Sequence, residues 1–216
     1  MKGTSAMNFY KTVKKASSAE FTEKKSRFIG YVSPVRTEEE AIAFVTAIKK
    51  KHPDARHNVY AYQVRENNIT RFSDDGEPSG TAGMPVLDVV RKRGLTDTAI
   101  VVTRYFGGIL LGGGGLVRAY SRAASDAIDA SGCVKMVYSS VYKISCAYHF
   151  FGKIEYELKK MELCAENTEF LSDISFFLCV TEEKEELMKK RLTEATGGSA
   201  VIEKTGERFA AYDEED

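Results

Sequence analysis

The chain has 216 residues, of which 43% are hydrophobic and 29% charged, with a formal net charge of zero. These are ordinary values for a soluble globular protein, long enough for one large domain or two small ones. No apolar run approaches the roughly 20 residues that cross a bilayer, and no apolar stretch follows the first lysine, so a cytoplasmic protein without a membrane partner is expected.

The zero net charge hides an asymmetry. Residues 1–137 carry 21 Lys and Arg against 14 Asp and Glu, whereas residues 138–216 carry 10 against 17. A half with an excess of +7 is compatible with a polyanionic partner, and equally with a mere division of solvated surface charge. The four cysteines, Cys133, Cys146, Cys164 and Cys179, form no C-x-x-C pair and sit in apolar or strand-like surroundings. They read as free thiols of a reducing compartment, and no metal site is expected.

Residues 26–35, SRFIGYVSPV, have strand composition. Thr37 then opens a helix: Thr37 and Glu40 fit a capping box, acids fill the first turn, and Ala41, Ile42, Phe44, Val45 and Ile48 supply an apolar face. Lysines crowd its end and Pro53 stops it. Residues 57–64 alternate as a strand, and residues 68–73 follow through a turn. Residues 74–83, DDGEPSGTAG, form a loop; MPVLDVVRKRG is a short helix with Pro85 in its first turn and Gly94 past its end. Residues 98–106 are an apolar strand suited to the centre of a sheet, followed by a glycine-rich loop and a helix from about Leu116 to Ser131. A second unit restarts at Val137 with the order β-α-β-β-α-β, the split βαβ or ferredoxin-like pattern. Two α+β domains are therefore expected, residues 8–136 and 137–216.

Two stretches carry chemistry. The first is YFGGILLGGGGLVRAY, where Gly112, Gly113, Gly114 and Gly115 stand at the mouth of a helix. The first amides of a helix lack internal partners, and glycines let a phosphate or carboxylate approach them. Arg104 before the loop and Arg118 after it are candidate forked donors. Neither G-x-G-x-x-G nor Walker A fits, so no ordinary dinucleotide or ATP site and no cofactor is expected. The alternative is architectural, with glycines relieving crowding against the sheet. The second stretch holds Asp74, Asp75 and Glu77 with the hydroxyls of Ser79 and Thr81. It reads as a hydrogen-bonded turn, a hard-cation loop being the costlier reading. With His57 these residues are expected to line a polar cleft beside the glycines. Tyr60, Tyr62, Tyr105 and Phe106 are available as stacking aromatics, or as core.

The segments RFSDDGEPSGTAGMPVLDVV, VVTRYFGGILLGGGGLVRAYSRAA, KSRFIGYV and ARHNVYAY closely resemble the IMPACT family, in its bacterial form the YigZ family. The resemblance covers about residues 17–132, and the split βαβ unit is similar to the smaller C-terminal domain of bacterial members. It implies an N-terminal two-layer α/β domain like the second domain of a small-subunit ribosomal protein. It implies a C-terminal domain like the last, ferredoxin-like domain of elongation factor G. It points to translation: eukaryotic relatives regulate it by binding the co-activator of a stress kinase that phosphorylates an initiation factor. Bacteria lack that pathway, and the resemblance transfers no catalytic residues. The expectation is a regulator that binds RNA, the ribosome or a translation protein. The alternative is an enzyme for a small phosphorylated or carboxylated substrate in the cleft between residues 74–83 and 107–115.

Overall fold

The computed structural model describes residues 9–212. The chain forms two compact units, Tyr10–Lys135 and Met136–Tyr212, with Phe9 grouping with the second. The first unit contains most of β1 (Phe9–Val13), then β2 (Ser17–Glu23), β3 (Ser26–Pro34), α1 (Glu38–Lys51), β4 (His57–Val64), β5 (Ile69–Ser73), α2 (Gly83–Lys92), β6 (Thr98–Tyr105) and α3 (Gly113–Ser131). Its sheet runs β2-β3-β6-β4-β5, with every neighbouring pair antiparallel.

The sheet has helices on both faces, which corrects the expected two layers to three. The cause lies in β6, the central strand. Ile100 and Val102 face a core shared with α2 and α3, while Ala99 and Val101 face a second core shared with α1. An uninterrupted apolar run is the mark of a strand buried on both sides. On α1, Thr37 Oγ1 accepts from the Glu40 amide at 3.3 Å, and the Glu40 carboxylate reaches back to the Arg36 amide at 2.6 Å. Ala41, Val45 and Ile48 are buried, but Ile42 turns outward and is 51% exposed. Its place one residue beyond Ala41 sets it about 100° off the buried stripe.

Helix α3 lies very close to the sheet. A Cβ on Gly30 of β3 would sit 2.2 Å from the Ala123 carbonyl oxygen, so only glycine fits beneath the helix. Ala119, Ala123, Ala124 and Ala127 form the buried small-residue side of α3 above it. This close seating aims the helix mouth. The helix begins at Gly113, three residues earlier than expected, so Gly113, Gly114 and Gly115 are its first turn.

The second unit comprises most of β7 (Cys133–Cys146), then α4 (Tyr148–Lys160), β8 (Glu166–Phe170), β9 (Ile174–Val180), α5 (Glu182–Thr196) and β10 (Val201–Tyr212). The strand expected from Val137 starts at Cys133. β9 lies between β7 and β8, and β10 also pairs with β7. Ile154 and Leu158 of α4 and Met188 and Leu192 of α5 pack on Tyr142, Ile144, Ile174, Phe176 and Leu178.

Candidate anion-binding site

The acidic loop is held by its own carboxylates. Asp74 stands eight residues before the cap position of α2, whose Ala82 has no capping side chain. Its Oδ1 accepts from the amides of Ala82 and Gly83 at 3.1 and 2.8 Å, and its Oδ2 from Gly80 at 2.9 Å. It therefore does the work of an N-cap from a distance. Asp75, at a left-handed φ of 46°, accepts from Lys49 Nζ at 2.8 Å and from the Asn58 amide at 2.7 Å. Burial alone would raise its carboxyl, but the Lys49 and Asn58 hydrogen bonds outweigh it and hold the group below its ordinary value. Thr81 donates to the Pro78 carbonyl at 2.7 Å, and Ser79 is exposed.

Glu77 is the centre of a buried cluster. Its Oε1 accepts from Arg104 at 2.6 Å and from the Tyr120 hydroxyl at 2.7 Å, with His57 Nε2 at 3.6 Å. The other His57 nitrogen, Nδ1, donates to the Asp75 carbonyl at 2.8 Å. Arg104 is only 4% exposed; it also reaches Ser26 Oγ at 3.4 Å and packs between the rings of Phe28 and Phe106, each 5.4 Å away. Its Nε is buried with no partner. Burial, and then the Glu77 charge, push the Tyr120 hydroxyl well above its ordinary value, so it serves as a neutral donor. Arg104 is thus not a free donor at the glycine mouth, as the sequence suggested, because Glu77 claims it. Ser26 and Tyr120 were missed: Tyr120 occupies a core position of α3, and nothing local marks a core tyrosine as a carboxylate partner.

The glycine mouth itself is open. Gly112, the cap residue, has φ 73° and ψ 164°, a conformation that is essentially glycine's alone. The first backbone bond of α3 runs from the Leu116 amide to the Gly112 carbonyl at 2.9 Å. The amides of Gly113, Gly114 and Gly115 precede it; no side chain caps the helix and no acid stands in its first turn. Crowding does not demand these glycines equally. A Cβ at Gly113 would come no nearer than 3.9 Å to Thr81 Cγ2, and one at Gly114 would be 3.7 Å from the flexible end of Arg118. Only Gly115 is tight, 3.0 Å from Leu111. Thr81 Cγ2, 3.9 Å from where a Gly113 Cβ would stand, brings the end of residues 74–83 beside the mouth.

Beside that mouth runs a groove of about 240 Å³, lined by Phe21, Glu23, Lys24, Leu111, Gly115, Arg118, Ala119 and Arg122. Arg118 is exposed and takes no carboxylate partner among the described residues. Lys24 and Lys25 form the tip of the β2–β3 hairpin, both with positive φ, 45° and 63°. Two-residue turns of this kind favour Asn-Gly, and lysine there carries backbone strain. The tip packs against Gly107, whose Cβ would fall 2.0 Å from the Lys25 backbone.

The expected stacking platform is mostly core. Tyr62 is buried and donates to Glu38 at 3.0 Å, Tyr60 packs on the α1 side, and the Tyr105 hydroxyl meets His52 Nδ1 at 2.8 Å; of the four only Phe106 is exposed. His52 Nε2 meets the Tyr31 hydroxyl at 2.7 Å, so both ring nitrogens are engaged. Burial, then the charges of Lys51 and Arg27, hold His52 below its ordinary value. Among the described residues no group of three or more His, Cys, Asp and Glu side chains converges as metal ligands, and no helix is long and apolar enough to cross a membrane.

A two-unit α/β chain with this loop and helix mouth defines a family. The Impact N-terminal domain matches residues 24–128, and a domain of unknown function, DUF1949, matches residues 144–199. The chain is 43% identical over 202 residues to the IMPACT family member YvyE of Bacillus subtilis, covering 93% of each. It is 34% identical to the IMPACT family member YigZ of Escherichia coli, covering 83% of this chain and 89% of that one. A crystal structure described as that of a hypothetical protein aligns over 91% of this chain and 97% of its own, at 31% identity and a TM-score of 0.59. The chain belongs to the IMPACT family.

Proposed function

We propose that the chain is a non-catalytic, translation-linked regulator whose basic first unit binds RNA through the mouth of α3. The observation that carries this is the pair Gly113 and Gly114. Each has room for a side chain, and each costs the helix about 1 kcal/mol relative to alanine, yet the backbone is left bare. Bare first-turn amides beside an unpaired arginine and two strained lysines suit a phosphate. The link to translation, on free or ribosomal RNA, rests on the family and on the implied likeness to ribosomal-protein and elongation-factor domains, an argument by analogy. The competing reading is an enzyme acting on a small phosphorylated or carboxylated substrate in the cleft. There the carboxylates are committed to Lys49, Arg104, Tyr120 and backbone amides, which supports a loop-holding role for them over a catalytic one.

The test is filter binding of ribosomal RNA across a salt series. The parent should bind with a steep salt slope. Arg118→Ala should weaken binding and lower the slope by about one unit. Gly114→Val should weaken it by masking the amides while the protein stays folded. Equal binding by all three proteins, or no binding by the parent, overturns the reading.

A further inference from the structure

The segment between the two glycine groups carries an apolar tip that the fold does not use. Leu110 is 81% exposed, and so are its neighbour Ile109 and, on the other side of Gly107 and Gly108, Phe106, to about half that extent. Consecutive exposed apolar residues in a loop are a liability unless something binds them. The tip is also anchored at both ends. Gly107 donates its amide to Ser26 Oγ at 3.2 Å and lies against the Lys25 backbone. Leu111 folds inward onto the core under α3 and touches the position of Gly115. With Leu111 turned in, its neighbour Leu110 is held out from a fixed base. The base of the tip is predominantly basic: Lys24, Arg118 and Arg122 line the same groove as Leu111, with Glu23 the one acid in it, and the Lys25 backbone lies against Gly107.

We infer that Leu110, with Ile109, is a wedge that enters an unstacked base step of RNA, so that the ligand class is bulged or distorted RNA rather than a regular duplex. The inference rests on the RNA-binding reading of the α3 mouth. Charge complementarity selects the occupant: an apolar point above a predominantly basic groove matches an opened stack flanked by phosphates. Aliphatic side chains perform this insertion in nucleic-acid architecture, and the phosphates flanking an opened step lie within reach of the adjoining basic groups. A continuous helix with its bases stacked offers the apolar tip no apolar surface to bury against.

The experiment compares the full chain with Leu110→Ser on two RNA hairpins of the same stem, one with a single-nucleotide bulge carrying 2-aminopurine and one fully paired. The parent should prefer the bulged hairpin by about tenfold and raise the 2-aminopurine fluorescence as the base unstacks. Leu110→Ser should lose both the preference and the fluorescence change while keeping the salt slope, since it removes no phosphate contact. A thermal melt checks the fold, and Leu110→Ile should restore the preference. If the parent binds RNA but Leu110→Ser keeps the preference, the wedge is wrong and the RNA-binding reading survives. If the parent binds neither hairpin at any salt, both fall. Leu110-dependent capture by vesicles of phosphatidylglycerol, without a bulge preference, also overturns the wedge.

Discussion

The Tyr120 hydroxyl and Glu77 are joined by a 2.7 Å hydrogen bond that ties α3 to the acidic loop. The same carboxylate oxygen holds Arg104, so one buried atom links helix, loop and central strand. Removing the tyrosine hydroxyl leaves the ion pair intact, whereas removing the carboxylate strands a buried guanidinium. Tyr120→Phe should cost about 1.5–3 kcal/mol. Glu77→Ala should cost more, about 3–5 kcal/mol. Urea denaturation of the two variants checks the order, and equal losses would mean that Arg104 finds water when Glu77 is gone.

Gly112 and Gly114 are neighbours with opposite expectations. Gly112 holds a backbone conformation that alanine resists, so Gly112→Ala should destabilise by about 1–3 kcal/mol. Gly114 is helical, and a Cβ there would make only ordinary contact with the flexible end of Arg118, so Gly114→Ala should stabilise by up to about 1 kcal/mol. A gain in melting temperature for Gly114→Ala with a loss of RNA binding would separate the role of the mouth from its architecture.

Asp74→Ala removes the acceptor for three amides at the start of α2 and should cost about 2 kcal/mol, the upper end for loss of a helix cap. Asp74→Asn keeps one good acceptor oxygen and should lose less. Hydrogen exchange at Gly80, Ala82 and Gly83 reads the effect at the amides concerned, and unchanged protection would show that the cap is dispensable.

His52 sets a pH dependence of known sign. As a neutral ring it donates to one tyrosine hydroxyl and accepts from the other; a second proton removes the acceptor and forces one of Tyr31 and Tyr105 to turn. Its folded value lies below the ordinary 6.5, so its contribution is present above 6.5 and is lost as pH falls from there through the folded value. Urea midpoints at about pH 5 and about pH 8 should therefore differ, with the protein weaker at the lower pH. His52→Gln should reduce the difference.

Much of the fold was legible because its signals are local. The Thr37 cap, the alternation of β4 and the continuous apolar run of β6 each declare an element without help from elsewhere. The run in β6 also announced burial on two faces, which the two-layer expectation passed over. β1 was missed because it is only five residues long, and β2 because it carries little apolar signal. In β2, a strand at the sheet's margin, Phe21 alone among its seven residues joins the core. The start of α3 was placed late because glycine has low helix propensity, and here packing of Ala119 and Tyr120 overrides it. At the candidate site the glycines and acids were visible in the sequence. The pairing of Glu77 with Arg104 and Tyr120 was not, since it joins residues 27 and 43 positions apart that only the folded chain brings together.

The seat of α3 on Gly30 has an evolutionary consequence. Because no side chain fits between that glycine and the Ala123 carbonyl, the height of the helix above β3 is fixed by the absence of an atom. A methyl group at position 30 would lift the helix and carry its whole glycine end with it, however perfectly that end were preserved. Substitution is therefore most restricted on the underside of α3, where Ala119, Ala123, Ala124 and Ala127 are buried. Among descendants of this sequence, position 30 should stay glycine wherever the mouth of α3 is kept, and should begin to vary only in lineages that have abandoned it.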